Sequence, residues 1–496
     1  MSIVVGFSQR RLVLGTVMLA TFIVAIETTV VATAMPLIVG QLGGFSYYSW
    51  VFSAFLLAQA ATTPIYGKLS DMFGRKPILV VGILLFLVGS LMCGFAWSMP
   101  SLVVFRAMQG LGAGAIYPVS MTVIGDLYRL EERSRAMGML AAVWAVSAII
   151  GPLAGGVIID HFSWAWIFWI NLPLGVLTIA GFLLFLQEKV EHRQAKIDYG
   201  GAILFSIAII SLLIILTNTD ASGWTLTTLA LLFVVTGALF IRQEKRAPEP
   251  IISLSLWTRR LIATSNAATL LLGMALIGLT TLLPIYVQGV LGRSPIEAGV
   301  VLTALVFGWP LAVMMSGRFY KAFGIRQTVR AGGLIFPLGA IFLLFLRPDS
   351  HPALPGIASF LMGFGMGIIS ITGTVLVQES VEWSMRGSAT ASIVFSRSLG
   401  NTLGAAAAGA FLNIGIRHYG SGELAAQLRA LLNAPSGLVH LATNPVIRIV
   451  FYHALYATFW GIVAVAVLCG VSAWLIPVAS KSEPVTGDEL GEAVAE

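Results

Sequence analysis

Glu27 and Arg106 are the two residues whose type and placement point to chemistry. Glu27 lies well inside the first of many long apolar runs, and no other acid sits as deep in any of them. An ionised carboxylate inside a bilayer is costly unless paired or hydrated, so such acids are read first as functional. Burial disfavours the charged form of a carboxyl group, and a nearby cation favours it. A carboxyl that meets and leaves a guanidinium therefore binds and releases protons. Arg106, in the fourth run, is the available cation, and a buried guanidinium needs a carboxylate or several carbonyls. The two residues lie at comparable depth in oppositely running segments, which allows them to face each other. The plain alternative is a static structural ion pair. Other chemistry is poorly supplied. The six histidines are scattered without a metal-ligand pair, and both cysteines, Cys93 and Cys469, lie in apolar runs. No nucleophile–base set, metal set, P-loop or cofactor motif is present, so neither an enzyme nor an ATP-driven machine is indicated.

The elements that hold these residues are membrane helices. Hydrophobic residues make up 57% of the 496 and charged residues 10%, against about 25% charge in soluble domains. Fourteen stretches are long and apolar enough to span a bilayer: about 12–39, 47–66, 77–97, 101–125, 135–160, 165–187, 199–217, 225–241, 261–290, 296–317, 328–346, 353–379, 387–416 and 451–477. With the N-terminus in the cytoplasm, 22 of the 29 Lys and Arg fall on that side. Five lie opposite (Arg293, Arg347, Arg417, Arg429 and Arg448) and two, Arg106 and Arg397, within spans. That asymmetry follows the positive-inside rule and puts both termini in the cytoplasm. The net charge of +7 sits in short loops, with no basic face for nucleic acid.

A second polar group lies between the second and third spans: Gly67-Lys68-Leu69-Ser70-Asp71-Met72-Phe73-Gly74-Arg75-Lys76-Pro77. Gly67, Gly74 and Lys76 recur at the same spacing as Gly317, Gly324 and Arg326, with Lys321 where the first copy has Asp71. The repeat implies an N-terminal six-helix bundle (1–190), two additional helices (191–258), a C-terminal six-helix bundle (259–480) and an acidic, disordered tail (481–496). The longest outer loop, about 417–450, is expected to hold a short surface helix at 423–432. In the fifth span, Pro152 removes one helical hydrogen bond, while Gly151, Gly155 and Gly156 permit close approach and bending. Gly110 and Gly114 form a small-residue packing face. Trp144, Tyr117, Trp309 and Phe395 are aromatics deep in spans, able to line a cavity and hold cations. Gln109, Tyr286, Gln288 and Arg397 are polar enough to join them. The tryptophans at 164, 166 and 169 suit an interfacial belt.

The loop at 67–77 resembles the signature G-x-L-(S/A)-D-x-x-G-R-(R/K) of the major facilitator superfamily. Glu27-Thr28-Thr29-Val30-Val31-Ala32-Thr33-Ala34-Met35-Pro36 resembles the first-helix motif D-x-T-V-V-N-V-A-L-P of its fourteen-helix drug:proton antiporters, with Glu for Asp and Ala32 for Asn. Arg106-Ala107-Met108-Gln109-Gly110-Leu111-Gly112-Ala113-Gly114 is similar to R-x-x-Q-G-x-G-x-G, a motif assigned there to proton transfer. Gly151-Pro152-Leu153-Ala154-Gly155-Gly156 resembles the antiporter motif G-P-x-x-G-G. The stretch Trp164–Gly175 is similar to W-R-W-I-F-x-I-N-x-P-x-G, with Ala165 for Arg, and Leu291–Gly299 also matches this group. The resemblance implies that Asp71 meets the start of the thirteenth helix near Arg386. It also implies that Arg75 pairs with Asp126 at the inner end of the fourth helix, and that breaking these contacts opens the inside. Met72 stands where the family often has a base.

The expected fold is thus an all-α polytopic membrane protein of the major facilitator type, with 14 transmembrane helices (6+2+6). The expected function is proton-coupled antiport that exports lipophilic, cationic drugs or dyes by alternating access from the bacterial cytoplasmic (inner) membrane. Its partners are then a small-molecule substrate, protons and the lipid bilayer, with no nucleic acid, metal or cofactor. Two other readings stand beside it: export of an endogenous metabolite, siderophore or amino acid on the same fold, and a non-transporting membrane sensor or scaffold.

Overall fold

The computed structural model describes residues 2–3, 7–42, 47–189, 198–217, 222–247, 250, 254–293, 295–351, 353–420, 422–424, 427–428 and 444–477. The tail from 481 and part of the stretch 423–432 lie outside the described residues. The described chain is helical almost throughout: α1 (Phe7–Leu42), α2 (Tyr48–Phe73), α3 (Arg75–Gly94), α4 (Met99–Leu127), α5 (Leu130–His161), α6 (Trp166–Trp169), α7 (Asn171–Phe185), α8 (Tyr199–Thr217), α9 (Gly223–Glu244), α10 (Leu254–Thr258), α11 (Arg260–Gly289), α12 (Pro295–Ile341), α13 (Ala353–Glu379), α14 (Arg386–Tyr419) and α15 (Pro445–Trp474). Strand structure among the described residues is limited to Ser2–Ile3 paired antiparallel with Glu188–Lys189. Ten described helices are long and apolar enough to cross a membrane. A helix satisfies its own backbone in lipid, which is why apolar runs of this length take that form.

Local sequence fixes the ends. Ser98 caps α4 in a reciprocal box with Ser101, and Asn444 accepts from the Val446 and Ile447 amides at the start of α15. A single residue, Gly74, joins α2 to α3 at φ 96°, ψ 161°, a conformation that side chains resist. Gly324 interrupts α12 with nearly the same angles, φ 79°, ψ 159°. The spacing repeated in sequence thus coincides with a repeated backbone turn. Two expected spans depart from a single α-helix: 328–346 ends in a 3-10 turn at Phe342–Phe345, and 165–187 is split at Ile170 into α6 and α7. Pro173 lacks the N–H that a continuous helix needs there.

Packing divides between the two ends of the chain. One apolar core joins Leu272, Tyr286, Phe336, Phe451 and Phe459 from α11, α12 and α15. Another joins Val17, Phe86, Ile116 and Phe182 from α1, α3, α4 and α7, and extends to Val375 and Val394 of α13 and α14. Helices α8 and α9 dock through Phe205 and Phe240 against Leu57 and Phe395. The rest of α9 presents exposed apolar side chains such as Leu231 and Val234, a surface suited to lipid.

Candidate functional site

The polar centre is built where α1, α3, α4 and α7 converge. Glu27 and Arg106 are each only 1% exposed. Arg106 Nη1 donates to Glu27 Oε1 at 2.7 Å and to Gln109 Oε1 at 2.7 Å. Arg106 Nε donates to the Val51 carbonyl at 3.2 Å, and the guanidinium lies 4.3 Å from the centre of the Phe55 ring. Asn171 Nδ2 donates to the other carboxylate oxygen, Glu27 Oε2, at 2.5 Å and to Ser90 Oγ at 2.9 Å. Gln109 Nε2 also donates to Ser90 Oγ, at 3.1 Å, and Ser90 Oγ in turn donates to the Phe168 carbonyl. Both oxygens of Glu27 therefore accept, one from a charged donor and one from a neutral donor. The Asn171 Oδ1 atom is buried without a hydrogen-bond partner.

A second network joins α2, α3, α4 and α5 to α13 and α14. Asp71, at the end of α2, accepts from the Gly387 amide (2.7 Å), the Ser388 amide (2.7 Å) and Ser388 Oγ (2.8 Å) at the first turn of α14. A carboxylate at a helix N-terminus is favoured by the exposed amides and the helix dipole. Arg75 lies against Asp71 Oδ1 at 3.1 Å, donates to Asp126 Oδ2 at 3.2 Å and to the Trp383 carbonyl at 2.9 Å, and stacks 3.6 Å from the centre of the Trp383 ring. Asp126 also receives Arg386 Nη1 at 3.0 Å. Arg133 pairs with Glu379 at 2.7 Å. Gly67 sits so close to Ala391 and Gly387 that a β-carbon would collide with both. Beside this network, the Glu188 carboxylate accepts from the Arg75 and Lys76 amides and caps α3.

The structure brings together Glu27 with Arg106, and Asp71 with Arg75 and Asp126. Gly151 packs against Thr29 of α1, which donates to the Ser147 carbonyl. Gly155 is buried in the same helix, Gly156 has open space at its α-carbon, and Pro152 lies in the intact helical run between Gly151 and Gly155. Gly110 and Gly114 pack against the α2 backbone and Thr62. Among the expected cavity residues, Tyr117 and Trp144 meet edge to face at 5.9 Å, and Arg397 lies 5.1 Å from the centre of the Tyr117 ring. Trp309 bridges the two main cores, and Gln288 is half-buried.

Three residues expected at a cavity have other partners in the structure. Gln109 is fully buried and belongs to the Glu27–Arg106 network. Tyr286 is fully buried, donates to the Arg347 carbonyl at 2.7 Å and packs on Phe459. Phe395 stacks on Phe205 of α8 at 5.5 Å, so it packs α14 against α8. Trp164, expected in an interfacial belt, is buried and donates to Gln41. Sequence reasoning missed Asn171, Ser90, Glu188, Trp383 and Ser388. Asn171 was legible as a polar residue within an otherwise apolar motif, yet the motif drew attention to its tryptophans.

Comparison with known proteins follows the same lines. The family model described as Major Facilitator Superfamily matches residues 17–405. Multidrug resistance protein 3 of Bacillus subtilis (strain 168) is 37% identical over 401 residues, covering 80% of this chain and 78% of the relative. Multidrug transporter protein MdtP of the same organism is 32% identical over 410 residues, covering 82% and 76%. The MFS-type efflux pump MMF1 of Pseudozyma antarctica (strain T-34) is 33% identical over 418 residues, covering 79% and 75%. The crystal structure of the human organic anion transporter MFSD10 (TETRAN) aligns with a TM-score of 0.62 at 14% identity, covering 94% of this chain and 99% of that one. At that identity the likeness concerns the fold alone.

Proposed function

The chain belongs to the Major Facilitator Superfamily, whose members are multi-pass membrane transporters rather than enzymes, and on that premise we propose that it is a proton-coupled antiporter exporting lipophilic, cationic drugs or dyes. The observation that carries the reading is the Glu27 carboxyl, buried in the bundle and shared between Arg106 and Asn171. The names of the two Bacillus subtilis relatives support drug efflux as the transported class. In this reading Glu27 holds the proton and Arg106 sets its affinity. When Arg106 bonds Glu27, the carboxylate is favoured and the proton leaves. When Arg106 turns to its other acceptors, Gln109 Oε1 and the Val51 carbonyl, the carboxyl takes a proton up.

The remaining parts follow from fourteen membrane helices in a 6+2+6 order with both termini in the cytoplasm of a bacterial cell. The Asp71–Ser388, Arg75–Asp126 and Arg386–Asp126 contacts then form the closed cytoplasmic gate. Alternating access by rocking of the two bundles opens it by withdrawing α14 from Asp71. A cationic substrate competes with Arg397 for the face of Tyr117, beside Trp144. The test is efflux of preloaded ethidium from energised cells expressing the chain, with and without a protonophore. Protonophore-sensitive efflux is expected. Efflux that persists after the proton gradient is collapsed defeats the coupling. No efflux above background from well-expressed protein defeats the cationic-dye substrate.

A further inference from the structure

A further cleft, of about 800 Å³, lies between the start of α1, the connection from α4 to α5, and α12. Its lining includes Arg10, Arg11, Arg129, Arg135 and Lys321, with Glu132 as the accompanying carboxylate. Deeper along α1 and α5 the wall becomes apolar, with Leu14, Met18 and Met139. Among the described residues, no carboxylate lies within ion-pair distance of Arg10, Arg129, Arg135 or Lys321. Like charges drawn from separate helices onto one cavity repel one another, and a bound anion relieves that repulsion. Basic loop residues also set orientation, but orientation does not require them to converge around a cavity with an apolar wall.

We propose that this cleft binds an anionic phospholipid, with its phosphate among Arg10, Arg129, Arg135 and Lys321 and an acyl chain along Leu14, Met18 and Met139. The graded lining selects a lipid over a soluble anion, since a free phosphate gains nothing from the apolar wall. Lys321 belongs to α12 and the other bases to α1, α5 and its approach. A bound headgroup therefore ties the C-terminal helices to the N-terminal ones beside the Asp71 network. The proposal needs only a membrane-embedded chain and stands apart from the assignment of substrate.

Native mass spectrometry of the full chain in detergent, offered equimolar phosphatidylglycerol and phosphatidylcholine, tests it. Wild type retains the anionic lipid preferentially. Each base near a membrane surface contributes roughly fivefold to anionic-lipid affinity, so Lys321→Gln with Arg135→Gln lowers retention on the order of twentyfold. Both side chains are exposed, and gel filtration checks that the variant is folded; if it is not, Lys321→Gln alone is expected to give the single fivefold loss. Arg318→Gln removes an exposed base of α12 outside the cleft lining and leaves retention unchanged. Equal retention of the two lipids by wild type, or unchanged retention by the folded variants, overturns the site. An equal loss in Arg318→Gln reduces it to diffuse surface charge. Displacement of the lipid by glycerol 3-phosphate at the same concentration makes it a soluble-anion site and overturns the lipid.

Discussion

Replacing Glu27 by Gln removes one charge and changes the donor pattern at a site where both side-chain oxygens accept. With its oxygen kept towards Arg106, the new amide nitrogen meets Asn171 Nδ2, which lies 2.5 Å from the present Oε2. Two donors then face each other. Asn171 relieves this by turning its amide, presenting the Oδ1 atom that now lacks a partner. The turn removes its bond to Ser90 Oγ, a loss of about 1 kcal/mol. The larger cost is the Arg106 guanidinium, 1% exposed and left without its carboxylate, roughly 3–5 kcal/mol for a broken buried pair. The expected destabilisation is therefore about 4–6 kcal/mol. Arg106→Gln costs less, because a carboxyl left alone is able to take a proton and a guanidinium is not able to lose one. Glu27→Gln with Arg106→Gln removes both charges and is more stable than Glu27→Gln alone. Equilibrium unfolding in mixed micelles orders the three variants, and the cycle yields a coupling of at least about 2 kcal/mol between contacting partners. A double variant no more stable than Glu27→Gln refutes the reasoning, since the cost then does not come from an orphaned charge. In dye efflux, the double variant restores folding without restoring dependence on the proton gradient.

Two further outcomes are expected. Asp71→Asn keeps one acceptor for the three donors of Gly387 and Ser388 and weakens the contact between α2 and α14 by about 2 kcal/mol, as charge-assisted hydrogen bonds are lost. Distances between spin labels placed on α2 and α14 should lengthen and broaden, and an unchanged distribution would remove Asp71 from the gate. Gly67→Val forces its side chain against Ala391 and the Gly387 carbonyl and should produce the same opening without any change of charge. If Gly67→Val leaves the label distances as in wild type, α14 does not need to approach α2 this closely.

What was legible in the sequence and what was not divide along a physical line. Glu27 and Arg106 announced themselves because a charge inside an apolar run is costly, and that cost holds whatever the helix packs against. Gly74 and Gly324 were legible through spacing, and the backbone at both needs a residue without a β-carbon. Neutral polar and aromatic residues carry no such signal. Gln109, Tyr286 and Phe395 were of suitable type for a substrate cavity, yet Gln109 turns to Ser90, Tyr286 to Arg347 and Phe395 to Phe205. Their direction depends on how each helix is rotated about its axis. In a water-soluble protein that rotation is written as an apolar stripe opposite a polar one. In this chain the lipid-facing and core-facing sides are both apolar: α9 exposes Leu231 and Val234 while burying Phe240. Periodicity therefore reports that a helix exists without reporting which face it turns inward. Asn171 was missed for the same reason, since its partner is fixed only when α7 closes against α1 and α3. The rotation of each helix is set instead by close contacts, as where Gly110 meets the Phe55 carbonyl and Gly67 meets Gly387. Small residues at such crossings fix the angular position of the bulky and polar ones.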